Sequence, residues 1–151
     1  MLGHKVLDSS AVVIQQGTAR MLAAACAACG LPSVPRLLRC SRCGNGRFTA
    51  SPLDPAGVLY AFSEVAVAPK GWTVPYLVGY VDMRAGIRLF ARLAFGLDVA
   101  RPGLAVVLQI KQCQGQAGRY YYQFIEAQAL NSEPACVQGA DILGPPEDVS
   151  T

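Results

Sequence analysis

Two cysteine pairs, Cys26-x-x-Cys29 and Cys40-x-x-Cys43, lie within one 18-residue stretch and constrain this chain more than any other feature of it. In each pair, two thiolates spaced two residues apart can turn toward one ion while nearby backbone amides stabilise the sulfurs. Two such knuckles make a tetrahedral cage. Four soft thiolates suit Zn²⁺, which fills all four positions and leaves no room for water or substrate, so the expected role is structural. The ten residues between the pairs match small ribbon and rubredoxin-like loops, and Pro32 and Pro35 exclude a helix there. Iron in the same cage remains an alternative. A redox dithiol is disfavoured by the presence of two pairs, by Arg36, Arg39 and Arg42 around them, and by the lack of a βαβ pattern.

Six cysteines in a secreted chain would suggest disulfides, but two tight pairs favour metal. A length of 151 residues suits one domain, or one compact domain with a small appendage. Apolar residues make up 52% and charged residues only 15%, so much of the surface is expected to face another protein. The longest apolar run, around Met21 to Leu31, is broken by Gly30 and falls short of the roughly 18 residues that cross a bilayer. Met1 to Ala19 has no sustained apolar core followed by a cleavage site, which makes cytoplasmic the expected location. A net charge of +3 is weak for nucleic-acid binding. It is unevenly placed, however. Residues 1–50 carry Lys5, Arg20, Arg36, Arg39, Arg42 and Arg47 against Asp8 alone, which makes the ribbon a plausible seat for an anion.

Four regions are expected: an N-terminal arm or short helix over 1–20, a zinc ribbon over 21–50, a barrel over 51–130 and a tail over 131–151. Asp8, Ser9 and Ser10 are good helix caps ahead of the mixed apolar stretch to Gln16, and Met21 to Ala25 reads as a strand entering the first cysteine pair. From Gly57 the texture becomes all β. The runs 58–67, 76–82, 87–95, 105–112 and 120–127 are rich in β-branched and aromatic residues and separated by Gly or Pro. Ile87, Leu89, Ala91 and Leu93 alternate with Arg88, Phe90 and Arg92, and residues 83–86 form a tight hairpin. Five short antiparallel strands with no helix to cover an open sheet are best closed as a small barrel of the oligonucleotide/oligosaccharide-binding (OB) type. The fold class is therefore mainly β: a rubredoxin-like zinc ribbon followed by a five-stranded OB barrel. The tail, with Pro134, Pro145 and Pro146 and scattered acids, has no periodicity.

No catalytic set emerges. His4 is the sole histidine, Cys113 and Cys136 stand alone, and no serine has a nucleophile-elbow or triad setting. Contact candidates are the ribbon residues Arg36 and Arg39, together with Lys70, Trp72 and Tyr76 of the proline-bracketed segment 69–76. Trp72 either plugs the barrel end or faces a partner. Tyr120, Tyr121 and Tyr122 cannot all point inward on one strand, so at least one should be exposed.

Several motifs carry a resemblance: Cys26-Ala-Ala-Cys29-Gly30, Pro35-Arg36, Cys40-Ser-Arg-Cys43-Gly44, the opening segment 57–63, strands 75–82 and 86–93, Pro102-Gly103 and Tyr122-Gln123-Phe124. Together they resemble the zinc-ribbon plus OB-fold proteins of acyl-CoA metabolism. In that family such chains are noncatalytic accessory subunits of thiolase-superfamily enzymes, benzoylsuccinyl-CoA thiolase among them. The resemblance, taken to span most of the chain, implies a heteromer whose partner supplies the nucleophile, while this chain helps shape an acyl-CoA channel and stabilises the complex. A single-stranded nucleic-acid-binding module and a stand-alone acyl-CoA-binding protein are the competing expectations.

Overall fold

The computed structural model describes residues 7–130. The tail expected over 131–151, together with Cys136 and His4, lies outside the described residues. The strands, in chain order, are β1 (Leu7–Asp8), β2 (Val12–Gln15), β3 (Thr18–Cys26), β4 (Pro32–Ser33), β5 (Phe48–Pro52), β6 (Ala56–Val65), β7 (Tyr76–Met83), β8 (Arg88–Leu93), β9 (Ala105–Gln112) and β10 (Arg119–Glu126). Short 3₁₀ turns occupy Ser9–Ala11 and Ala127–Leu130.

The last five strands close on themselves. β6, β7 and β8 form an antiparallel meander, β9 pairs with both β6 and β10, and β10 meets β8 in parallel through Gln123–Arg92 and Phe124–Leu93. Alternation sends one set of side chains inside: Leu59, Leu77, Val81, Met83, Leu89, Ala91, Leu93, Val106, Leu108, Tyr122 and Phe124 are all buried. The five strands expected from sequence are therefore present, each with ends shifted by two residues or fewer. The 83–86 hairpin is also present: Gly86 N–H donates to Met83 O at 2.9 Å, and Met83 N–H donates to Ile87 O at 2.8 Å. Gly86 takes φ +79°, a left-handed conformation that glycine adopts without a Cβ penalty. A bulge between Leu59 and Ala61 makes Tyr60 an extra residue on β6 and turns its ring to solvent.

The N-terminal reading needs correction. Instead of a short helix over residues 8–16, the chain makes a three-residue 3₁₀ turn and then a β2–β3 hairpin, with Gln15 opposite Thr18. The two turn residues, Gln16 (φ 49°) and Gly17 (φ +77°), both have positive φ, as a type I′ turn demands. Helix caps at Ser9 and Ser10 cannot extend a helix when the next apolar residues, Val12, Val13 and Ile14, are β-branched and find a partner strand in β3.

β3 joins the two halves of the molecule. Its residues Met21 and Ala23 belong to the barrel's core cluster, and its last residue is Cys26. β5 pairs along it from Leu22–Pro52 to Cys26–Phe48 and runs across position 50/51, where the sequence reading set the boundary between ribbon and barrel. Leu53, 2% exposed, then drops into the core as the chain enters β6. Tyr121 and Tyr122 are both buried and Tyr120 is half-buried, so none of the three is fully exposed. β10 is covered on both faces from Tyr121 to Phe124.

Candidate metal centre

The two knuckles share one local geometry. Gly30 N–H donates to Cys26 O and Gly44 N–H to Cys40 O, each at 2.9 Å; Cys26 N–H donates to Leu31 O at 3.0 Å and Cys40 N–H to Asn45 O at 2.8 Å. Each loop thus doubles back immediately after its second cysteine, and Gly30 and Gly44 supply the left-handed residue that this reversal needs (φ +71° and +73°). The reversals bring the pairs face to face. Cys26 Sγ lies 3.5 Å from Cys43 Sγ, Cys29 Sγ lies 3.5 Å from Cys40 Sγ, and all four sulfurs fall within 4.8 Å of one another.

A tetrahedral ion with Zn–S bonds of about 2.3 Å requires sulfurs about 3.8 Å apart, so this donor set fits a metal such as zinc. Cys26, Cys29, Cys40 and Cys43 would be its ligands, and a bound ion would act as a cross-link between two loops. Backbone amides support the thiolate form. Hydrogen bonds from Cys29 and Ala28 N–H lower the Cys26 thiol against the cost of desolvation, and those from Cys43 and Arg42 N–H bring Cys40 down to about 6. At Cys43 the Asn45 N–H acts in the same sense, but the neighbouring Cys26 sulfur, burial and the remaining cysteines outweigh it and push that thiol up to about 12. Four like groups packed this closely cannot all ionise without a cation between them.

The ribbon loops have little else to hold them. Between Ala27 and Arg47 the one buried residue is Cys40, and only Val34 packs partly against the barrel core. Arg36 is exposed, Arg39 reaches back to donate to Gly44 O at 3.3 Å, and Leu38 projects into solvent at 93% exposure. Lys70 is exposed in the connection between β6 and β7. Trp72 is half-buried with its ring centroid 6.0 Å from that of Tyr76, while the Arg92 guanidinium sits 5.2 Å from the Tyr76 ring centre. The structure therefore gathers Trp72 and Tyr76 into one cluster with Arg92 and leaves Arg36 and Arg39 on the separate ribbon loop.

Sequence reasoning missed a second group. On the outward face of β6–β7–β8, Arg88 grips its cross-strand partner Asp82 through two hydrogen bonds of 2.6 and 3.0 Å and stacks 3.7 Å over the Tyr60 ring. That contact holds the Asp82 carboxyl below the usual range and raises the Arg88 guanidinium further. Beside it Tyr80 and Phe90, directly opposite in register, lie 4.9 Å apart. The outward placement of Arg88, Phe90 and Arg92 was legible from alternation. The arrival of Tyr60 beside them was not, because it depends on the bulge.

Residues 50–110 match the family model described as the C-terminal OB-fold domain of ChsH2. The matched stretch holds β6, β7, β8 and most of β9, so the chain is similar there to the OB-fold part of that family. Two curated relatives are benzoylsuccinyl-CoA thiolase subunits BbsA. The protein from Thauera aromatica is 37% identical over 45% of this chain and 47% of its own length. The protein from Geobacter metallireducens is 34% identical over 41% and 42%. The chain thus spans about half the length of the curated relatives it matches. Among solved structures, the Ltp2–ChsH2(DUF35) aldolase superposes with a TM-score of 0.62 at 24% identity, covering 72% of this chain and 85% of that one. The two relatives and the family model support the resemblance to the thiolase accessory-subunit family and the solved structure supports the fold, although the sequence match is narrower than the expectation that it spans most of the chain. The family model begins at residue 50, after the cysteine ribbon.

Proposed function

We propose that this chain is a noncatalytic accessory subunit of a thiolase-type enzyme complex that makes or breaks a carbon–carbon bond in an acyl-CoA. The observation that carries this reading is the similarity to two proteins named as thiolase subunits, at 37% and 34% identity. In this reading the four cysteines hold a structural zinc, and the ribbon and barrel form two units joined by β3 and β5. The chain works in the cytoplasm, helps shape the acyl-CoA channel and stabilises the complex. No described helix is long and apolar enough to cross a membrane.

Candidate contacts to the partner or to CoA phosphates follow from chemistry. Arg36 and Arg39 lie on a ribbon with no carboxylate between Asp8 and Asp54, and Lys70, Trp72 and Tyr76 combine a cation with stacking surfaces at the barrel end. The test is native mass spectrometry of this chain coexpressed with the thiolase-type protein encoded nearest to it in its source organism, read with zinc content. A zinc-bearing hetero-oligomer is expected. A zinc-bearing lone chain that never retains the thiolase overturns the reading.

A further inference from the structure

The outward face of β6–β7–β8 departs from the rule for an antiparallel sheet whose other side is the core, where alternate residues should be polar. Ten large apolar side chains are exposed among the described residues, and four of them, Val58, Tyr60, Tyr80 and Phe90, share this face. Singly scattered apolar residues need no explanation, but a contiguous cluster on a barrel wall does. The cluster is also held in place: Arg88 is fixed by Asp82 and by the Tyr60 ring, and Tyr80 and Phe90 brace each other across two strands. A surface whose rings and guanidinium are already ordered loses little side-chain entropy when covered, and Tyr and Arg are the residues that dominate binding energy at protein interfaces.

We infer that this face is the surface on which the chain docks its partner subunit, a folded protein that presents apolar side chains around a carboxylate. The inference rests on the accessory-subunit reading proposed above. Charge decides the partner's chemistry. The ion pairs among the described residues are Arg84–Asp54 and Arg88–Asp82, which leaves Arg92, at the edge of the aromatic cluster and beside Tyr76, without a carboxylate there. A carboxylate from the partner placed against Arg92 would complete the pattern that Asp82 completes for Arg88. A single-stranded nucleic acid is the poorer fit, because stacking platforms of that kind lie beside a run of uncompensated cations, and here one of the two face arginines is already neutralised. The family match supplies the remaining support, since residues 50–110 contain every residue of this face and stop short of the cysteines.

The test uses the full chain with p-benzoylphenylalanine replacing Phe90 or, as a control on the ribbon, replacing Leu38; both side chains are exposed. Each variant is coexpressed with the neighbouring thiolase-type protein, irradiated, and its cross-links are identified by mass spectrometry. Cross-links from position 90 to the thiolase-type protein support the inference. In the same complex, Arg92→Glu and Tyr80→Ser should each weaken association about tenfold or more while leaving metal content and thermal transition unchanged. Cross-links to the thiolase-type protein from position 38 alone overturn this docking face and leave the accessory-subunit reading standing. Failure of the wild-type chain to retain the thiolase at all overturns both. Cross-links from position 90 to a second copy of the chain or to its own segment 131–151 overturn the inference. So does binding of a fluorescent 20-mer of thymidine at low salt that Arg92→Glu abolishes.

Discussion

Removing the metal should melt the ribbon loops and spare the barrel. The perturbation is Cys40→Ser, or chelation of the native protein, and the readout is amide hydrogen exchange. Five amides report on the knuckles: those of Cys26, Ala27, Gly30, Cys40 and Gly44, each bonded to a loop or β-edge carbonyl at 2.8–3.0 Å. With metal bound, opening the loops must break a cage worth about 10–16 kcal/mol at neutral pH, so these amides exchange only when the whole protein unfolds, at a cost of about 5–15 kcal/mol. Without it, Cys40 is the one buried residue of the 21 from Ala27 to Arg47, and local opening should cost close to nothing. Taking the lower bound of 5 kcal/mol and 1.36 kcal/mol per tenfold, exchange at Gly30, Cys40 and Gly44 should accelerate by at least about a thousandfold. Peptides from β7 and β10 should keep their protection, because their core residues, such as Val81 and Phe124 at 0% exposure, contact the barrel and not the cysteines. A change of less than tenfold in a sample shown to be metal-free would refute the argument. It would mean that the loops are held by packing not apparent in their burial.

Phe124→Ala removes a wholly buried ring from the strand that closes the barrel and should cost about 3–5 kcal/mol, read as a lower urea midpoint with the slope unchanged. Gly79→Ala places a Cβ 2.8 Å from the Ala61 carbonyl oxygen and 3.0–3.1 Å from methyls of Leu59 and Leu93; because the backbone oxygen cannot yield cheaply, a loss of about 1–3 kcal/mol is expected by the same assay. Burial pushes the Tyr122 phenol up to about 12 from 10.0. The unfolded chain therefore releases that proton first, and stability should be intact below pH 10 and fall by about 2 kcal/mol between pH 10 and 12. Tyr122→Phe should flatten that slope, at the separate cost of the hydrogen bond that Tyr122 Oη donates to Phe90 O at 3.3 Å.

The parts of this fold that were legible in the sequence are those whose signal is local. Alternation along Arg88–Leu93 and punctuation by Gly and Pro placed the five barrel strands, because period-2 burial leaves a direct imprint on residue type. The cysteine spacing located the knuckles for the same reason. What escaped depended on partners far away in the chain. β5, Phe48–Pro52, is mostly exposed and ends in proline, so nothing local marks it as a strand; it exists because β3 offers an edge some 26 residues earlier. The β2–β3 hairpin was hidden by its turn, since Gln16 adopts a positive φ that Asn, Asp or Gly would have advertised. The outward aromatic cluster was visible one strand at a time, through Phe90 and the tyrosines, but its assembly required the register of three strands and the bulge at Tyr60.

The closure of the barrel by β10 has a consequence for the chain as it is made. Until residue 124 is available, β8 lacks its parallel neighbour and β9 lacks the partner that pairs with it from Val106 to Gln112. A chain that ends near Gln112 would hold four of the five barrel strands and two unsatisfied edges, beside an interior lined by Leu89, Leu93, Val106 and Leu108. Such edges recruit strands from other molecules. Premature termination or proteolysis in the β9–β10 turn should therefore yield aggregates instead of a shortened but soluble product.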